Sequence, residues 1–159
     1  MTDRRVVFEG KAVSLDEVAR CAHRLGRALR PGDLVYLEGP LGAGKTTFVR
    51  GLSEVFEVTD PVRSPSFTIA NIYRGSVTVQ HLDLYRLEEL GDEDALALEE
   101  YVDAEAVTLV EWPEAGKERL GEASWSVLMD HESMDRRRLK VIANTVDGVA
   151  RWQEAREDE

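Results

Sequence analysis

The stretch Tyr36–Leu52, YLEGPLGAGKTTFVRGL, decides the fold. Within it, GPLGAGKT at 39–46 matches G-x-x-x-x-G-K-[ST] at every fixed position. Glycines let the backbone curl so that successive N–H groups aim at phosphate oxygens. Lys45 brings a flexible positive charge for the β and γ phosphates, and Thr46 a hydroxyl for Mg²⁺. The apolar run LVYLE at 34–38 reads as a strand leading into the loop. GKTTFVRGLSEVF reads as a helix whose positive N-terminal end faces the same anion. Composition alone yields such a match in about one of a few hundred chains of this length, and here the flanking elements agree with it. The candidate phosphate contacts are Gly39, Pro40, Leu41, Gly42, Ala43, Gly44, Lys45, Thr46 and Thr47.

Working outward, RRVVFEG at 4–10 reads as a short strand, and SLDEVARCAHRLGRAL from Ser14 as a helix. Ser14 and Glu17 form a capping box, and Leu15, Val18, Ala19, Ala22, Leu25 and Leu29 recur at helical spacing. FTIANIYR and VTVQHLDL read as strands joined at Gly75-Ser76, an antiparallel hairpin. The acidic stretch at 87–103 is expected to be helical in pieces, and AVTLVEW at 106–112 is a strand ended by Pro113. WSVLMD and RLKVIAN are expected to pair across HESMDRRR. The interleaving predicts an α/β fold, a P-loop NTPase-like three-layer sandwich with a mainly parallel sheet and antiparallel additions. The 159 residues suit one domain over 1–159, with 150–159 expected as a helix that frays into solvent.

A phosphate loop needs further ligands to hold Mg²⁺ and place the attacking group. Asp83 closes VTVQHLD and Glu111 closes AVTLVE, each an acid at the end of an apolar run. Ligands of open α/β sheets sit beyond the carboxyl ends of strands, so both acids can converge on the phosphates; otherwise each is a helix cap or an exposed loop charge. With Thr46 they form an oxygen-rich shell suited to Mg²⁺. His81 shares a strand face with Asp83 and reads as a packing or hydrogen-bonding residue. Trp112 is a core aromatic, a partner contact or a lid over the metal shell. RSPSFT at 63–68 sets Ser64, Ser66 and Thr68 in a Pro-stiffened segment, either a switch loop sensing γ-phosphate and Mg²⁺ or a turn held by its hydroxyls.

The net charge of −11 argues against broad binding to a nucleic-acid backbone. RRRLK at 136–140 is a local exception, either a charged strand edge or a contact to phosphate or a partner. The chain has no apolar run of 18 residues and no signal-peptide core near its start, and its lone cysteine, Cys21, lies in a helical pattern. These features fit a cytoplasmic protein without membrane contact.

GPLGAGKTTFVRGL, SPSFTIANIY, HLDLYRL, LEEY and LVEWPE occur in the order found in the bacterial TsaE (YjeE) proteins, so the chain resembles that family over roughly residues 10–145. The phosphate loop is shared with very many NTPases; HLDLYRL together with LVEWPE is far more specific. The resemblance implies a Mg²⁺-dependent ATPase required for tRNA N6-threonylcarbamoyladenosine synthesis. It would act on the TsaD–TsaB complex, with TsaC supplying the threonylcarbamoyl-adenylate, and would not transfer the group itself. Contact with tRNA would be indirect, through that complex.

By the same resemblance, Lys45 and the loop amides bind phosphates and Thr46 binds Mg²⁺. Asp83 takes the Walker-B-like place, and Glu111 joins the metal shell or positions the water, making Lys45, Asp83 and Glu111 the catalytic candidates. Trp112 supports the region between nucleotide and partner. Ser66 stands where the family often has Thr and keeps the hydroxyl, and Thr68 follows it in the switch segment. The adenine is expected near Ser14, with help from Arg136 or Arg137.

Two other readings compete. A small-molecule kinase would use the same loop to pass phosphate to an acceptor, but the arginines are scattered and the insertion at 87–103 is acidic. A nucleotide-gated binding module would differ from the ATPase mainly in rate. No N/T-K-x-D stretch for reading guanine is present.

Overall fold

The computed structural model describes residues 4–65, 69–85, 87 and 97–156. In chain order the elements are β1 (Arg5–Ser14), α1 (Leu15–Ala28), β2 (Leu34–Glu38), α2 (Lys45–Val55), β3 (Ala70–Tyr73) and β4 (Thr78–Asp83). A 3₁₀ turn, Ala97–Tyr101, precedes β5 (Ala106–Glu111), and another, Pro113–Ala115, follows it. Then come α3 (Lys117–Leu120), β6 (Trp125–His131), β7 (Arg136–Ala143) and α4 (Val146–Glu154).

The strands form one seven-stranded sheet in the order β1-β7-β6-β2-β5-β4-β3. The central block β6-β2-β5-β4 is parallel, whereas β1–β7, β7–β6 and β4–β3 are antiparallel. This is the P-loop NTPase-like α/β architecture with antiparallel edges.

Side-chain alternation along β2 divides the core. Val35 and Leu37 join the cluster under α1, α2 and α4, which includes Leu25, Phe48, Leu52 and Trp152. Leu34 and Tyr36 point to the opposite face and pack with Leu82, Leu98, Val110 and Leu120. That second face is covered, among the described residues, by the short turns at 97–101 and 117–120. Burial on both faces explains why β2 and β5 read as continuous apolar runs.

The capping box that starts α1 is formed: the Glu17 amide donates to Ser14 Oγ at 3.1 Å and the Ser14 amide to Glu17 Oε1 at 3.4 Å. Three local expectations shift. β1 runs on to Ser14, with register breaks at Val6/Phe8 and Gly10/Val13, because pairing with β7 extends an edge strand through polar residues. The β3–β4 connection is longer than Gly75-Ser76, with Tyr73 and Thr78 as the strand ends, and Ser76 donates its amide to Phe56 O at 2.6 Å. The C-terminal segment is a docked helix, not a frayed one, through Glu154. Trp152 is 3% exposed, and Arg24 donates to its carbonyl at 2.9 Å. Most of 87–103 and the positions Ser66 and Thr68 lie outside the described residues. No described helix is long and apolar enough to cross a membrane.

Candidate functional site

The loop between β2 and α2 needs its glycines for two reasons. Gly39, Gly42 and Gly44 hold φ of 153°, 77° and 101°, where L-residues are strained. At Gly39 space is also closed, since a Cβ there would stand 2.1 Å from the carbonyl oxygen of Met129. The loop is therefore a concave backbone turn set against β6, opening onto the first turn of α2.

Lys45 is 5% exposed despite its charge. Its ammonium donates to Gly39 O at 2.5 Å and lies 3.7 Å from the centroid of the Trp112 ring. Burial pulls its pKa below the ordinary value, while the Glu111 and Asp83 carboxylates oppose that fall. Trp112 takes a left-handed conformation, φ 54° and ψ 56°, directly before Pro113, and its ring meets Tyr85 at 4.9 Å.

The sheet places both candidate acids on this centre. Register pairs Asp83 with Glu111 across β4 and β5, and Leu37 with Glu111 across β2 and β5. Both acids thus stand at the carboxyl ends of parallel strands, where an open α/β sheet presents its ligand groove. Thr46 Oγ1 is 3.4 Å from Glu111 Oε2. Asp83 accepts from Ser64 Oγ at 3.0 Å and from the Tyr85 amide at 3.0 Å. A hydroxyl and two carboxylates beside a backbone cradle form a hard-oxygen donor set of the kind Mg²⁺ shares with substrate phosphates.

The loop, Lys45, Thr46, Asp83, Glu111 and Trp112 are therefore brought together, and Arg137 touches the loop at Ala43, with Ser14 and Arg136 beside it across β1 and β7. The Ser14 side chain is engaged in its capping box, and its backbone pairs with Arg136 across β1 and β7. Arg136 reaches Ala12 O at 3.4 Å. Arg137 donates to Ala43 O at 3.1 Å and to carbonyls of the β6–β7 turn at Ser133 and Met134. Arg137 thus ties the phosphate loop to the β6–β7 turn. His131, at the end of β6, approaches Leu41 O at 3.4 Å.

The family model for "Threonylcarbamoyl adenosine biosynthesis protein TsaE" matches residues 12–139. That span holds the loop, both acids and the strands that carry them. The chain belongs to the TsaE family. A tRNA threonylcarbamoyladenosine biosynthesis protein TsaE of Treponema pallidum is 38% identical over 116 residues, 73% of this chain and 86% of its own. The TsaE protein of Bacillus subtilis is 35% identical over 134 residues, 84% of each. Among solved structures, Bacillus subtilis YdiB superposes with a TM-score of 0.73 at 30% identity, covering 98% of this chain and 95% of that one.

Within this TsaE-family site, several residues have roles that the sequence left unread. His81 is fully buried, and its Nε2 lies 2.6 Å from Glu111 Oε2. Tyr73 and Asn71 both contact the Arg63 backbone. Lys117 bridges Glu38 at 3.2 Å and Glu114 at 3.1 Å, at the edge of the phosphate loop. Burial, then a hydrogen bond shared with Glu114, pushes the Glu38 carboxyl up. Glu114 is held down by the same bond and by Lys117. The face shared by His81 and Asp83 was the one signal of these contacts in the sequence; the rest depend on pairing between distant segments.

Proposed function

We propose that this TsaE-family chain is a Mg²⁺-dependent ATPase of tRNA N6-threonylcarbamoyladenosine synthesis, acting on a TsaD–TsaB complex rather than transferring the group itself. The observation that carries the reading is the convergence of Thr46, Asp83 and Glu111 in front of a glycine cradle whose lysine is already buried there. The names of the relatives supply the pathway.

In this reading the loop amides from Gly39 to Gly44 and the Lys45 ammonium bind and orient the phosphates. Phosphoryl transfer depends mainly on such positioning and charge stabilisation. Thr46, Asp83 and Glu111 would hold Mg²⁺, which would supply charge neutralisation at the phosphates. Glu111 would also orient the attacking water. Trp112 and Tyr85 form an aromatic wall beside Lys45.

Reconstitution tests the proposal. ATP turnover by the isolated chain should be weak and should rise when TsaD and TsaB are added. Modification of tRNA over many turnovers should require both this chain and ATP. Equal ATP turnover with and without the two proteins would overturn the assignment of partners. The isolated chain should show no salt-steep affinity for tRNA, in keeping with its net charge of −11.

A further inference from the structure

A buried polar chain runs from Glu111 through His81 and Tyr73. His81 is 0% exposed and Glu111 is 3% exposed. Groups this deep must satisfy one another. The Glu111 oxygen that faces Thr46, Oε2, is also the one that His81 Nε2 approaches at 2.6 Å. The other ring nitrogen, Nδ1, lies 3.0 Å from the Tyr73 hydroxyl. That hydroxyl accepts from the Arg63 amide at 3.2 Å and lies 2.9 Å from the Arg63 carbonyl. Asn71 Nδ2 donates to the same carbonyl at 3.0 Å. One residue on, Ser64 Oγ donates to Asp83. The segment after α2 is thus tied to both acids, once through Asp83 directly and once through a ring and a phenol.

Hydrogen accounting keeps this chain continuous. With Glu111 ionised, its oxygen can only accept, so Nε2 carries a hydrogen. In a neutral ring Nδ1 accepts from Tyr73, and Asn71 satisfies the Arg63 carbonyl. In a charged ring Nδ1 donates to Tyr73, whose own hydrogen then turns to that carbonyl. Both arrangements connect Glu111 to residue 63.

We propose that His81 and Tyr73 are positioning residues that fix the Glu111 carboxylate and tether it to the backbone at Arg63. Displacement of the acid and displacement of the segment leading to Ser66 are thereby coupled. The consequence for metal binding rests on the nucleotide-site reading above; the tether itself does not.

The test uses the full chain with the substitutions His81→Gln and Tyr73→Phe, and two readouts. In the nucleotide-free protein, hydrogen exchange at the Arg63 amide should quicken about 5-fold in His81→Gln, although His81 does not touch Arg63. Second, a fluorescent ATP analogue is titrated with Mg²⁺ and with EDTA. The tightening that Mg²⁺ confers should shrink about 10- to 100-fold in both variants, the range for lost outer partners of a metal ligand. The EDTA affinity should stay at the wild-type value. A merely structural role would weaken both titrations alike.

Wild-type exchange at Arg63 in His81→Gln overturns the tether. Unchanged Mg²⁺ dependence in a folded Tyr73→Phe overturns the positioning role. If His81→Gln does not fold, Tyr73→Phe, which removes one oxygen atom, decides alone. If the wild-type chain binds the analogue identically with Mg²⁺ and EDTA, the metal reading and the positioning role fall together, and exchange at Arg63 still decides the tether.

Discussion

The Lys45 ammonium and the Trp112 indole face each other, with Nζ 3.7 Å from the ring centroid. A cation so placed is attracted by the ring's quadrupole, more strongly where water is excluded. A phosphate group on the loop would compete with this contact and with the Gly39 carbonyl for the same ammonium.

Trp112 emission should therefore report nucleotide binding. The chain has three tryptophans, and the other two form a pair away from the loop. Trp125 opens β6 at the amino end of the sheet, and Trp152 lies on α4, their centroids 6.4 Å apart. Titration with Mg·ATP should change the emission of the wild-type chain, and Trp112→Phe should abolish that change. Lys45→Ala should abolish it too and weaken affinity by about 30- to 150-fold, the loss expected for a charge-assisted contact of about 2–3 kcal/mol. A full emission change in Trp112→Phe would sink the idea.

Gly39 and Gly44 both hold positive φ but should respond differently to alanine. At Gly39 the new Cβ would meet the Met129 carbonyl at 2.1 Å, so β6 or the loop must move. At Gly44 the nearest atom is the flexible Met129 Cε at 3.5 Å, leaving mainly the left-handed cost of about 1–2 kcal/mol. Gly39→Ala should lower the melting temperature more than Gly44→Ala and raise the Kd for Mg·ATP by at least about 10-fold. Equal melting temperatures for the two variants would contradict the close approach to β6.

What was legible in the sequence was local. The loop, its lysine and the Ser14–Glu17 box are set by residues within a few positions of each other, and β2 and β5 announce themselves because both faces are buried. Asp83 and Glu111 could be nominated because each closes an apolar run, and parallel register then put them side by side. The Glu111–His81–Tyr73–Arg63 chain was not legible, because it depends on the β3–β4 register and on where the segment after α2 lies. The contact of Arg137 with Ala43 O was equally hidden, because the two residues come from distant parts of the chain. The docked C-terminal helix was hidden by its charged tail, which masks Trp152, buried in the core, and Arg151, paired with Asp33.

Asp33 should prove a stability anchor. Its carboxylate is nearly buried and accepts from Arg151 at 2.8 Å, the Arg30 amide at 2.7 Å and Ser124 Oγ at 3.0 Å. It thereby joins α4 to the start of β2 and to the segment before β6. Without Asp33 the Arg151 guanidinium keeps only the exposed Asp147 carboxylate, 2.9 Å away, and the Ala28 carbonyl, and the loss is about 3 kcal/mol. Asp33→Ala should lower the melting temperature by about 10 °C in a domain of this size. Adding Arg151→Met should recover part of that loss. Strict additivity in the double-mutant cycle would mean the two side chains do not depend on each other.

Tyr36 gives a pH signature that can be read independently of nucleotide. Its ring is buried in the second core cluster, and its hydroxyl donates to the Gly121 carbonyl. Burial raises its pKa above the ordinary 10.0, Glu114 adding to the rise and Lys117 opposing it. A group whose folded pKa lies above its unfolded one contributes stability that is whole below the unfolded value and is lost as pH rises through the folded value. Urea unfolding of the wild-type chain and Tyr36→Phe should therefore differ by a constant amount, about 1 kcal/mol, up to pH 9. Above pH 10 the advantage of the wild type should fall, at up to about 1.4 kcal/mol per pH unit within the window between the two pKa values. A difference that stays flat to pH 11 would mean that the phenol ionises as readily in the folded chain as in the unfolded one, and that its burial against Gly121 does not hold the proton.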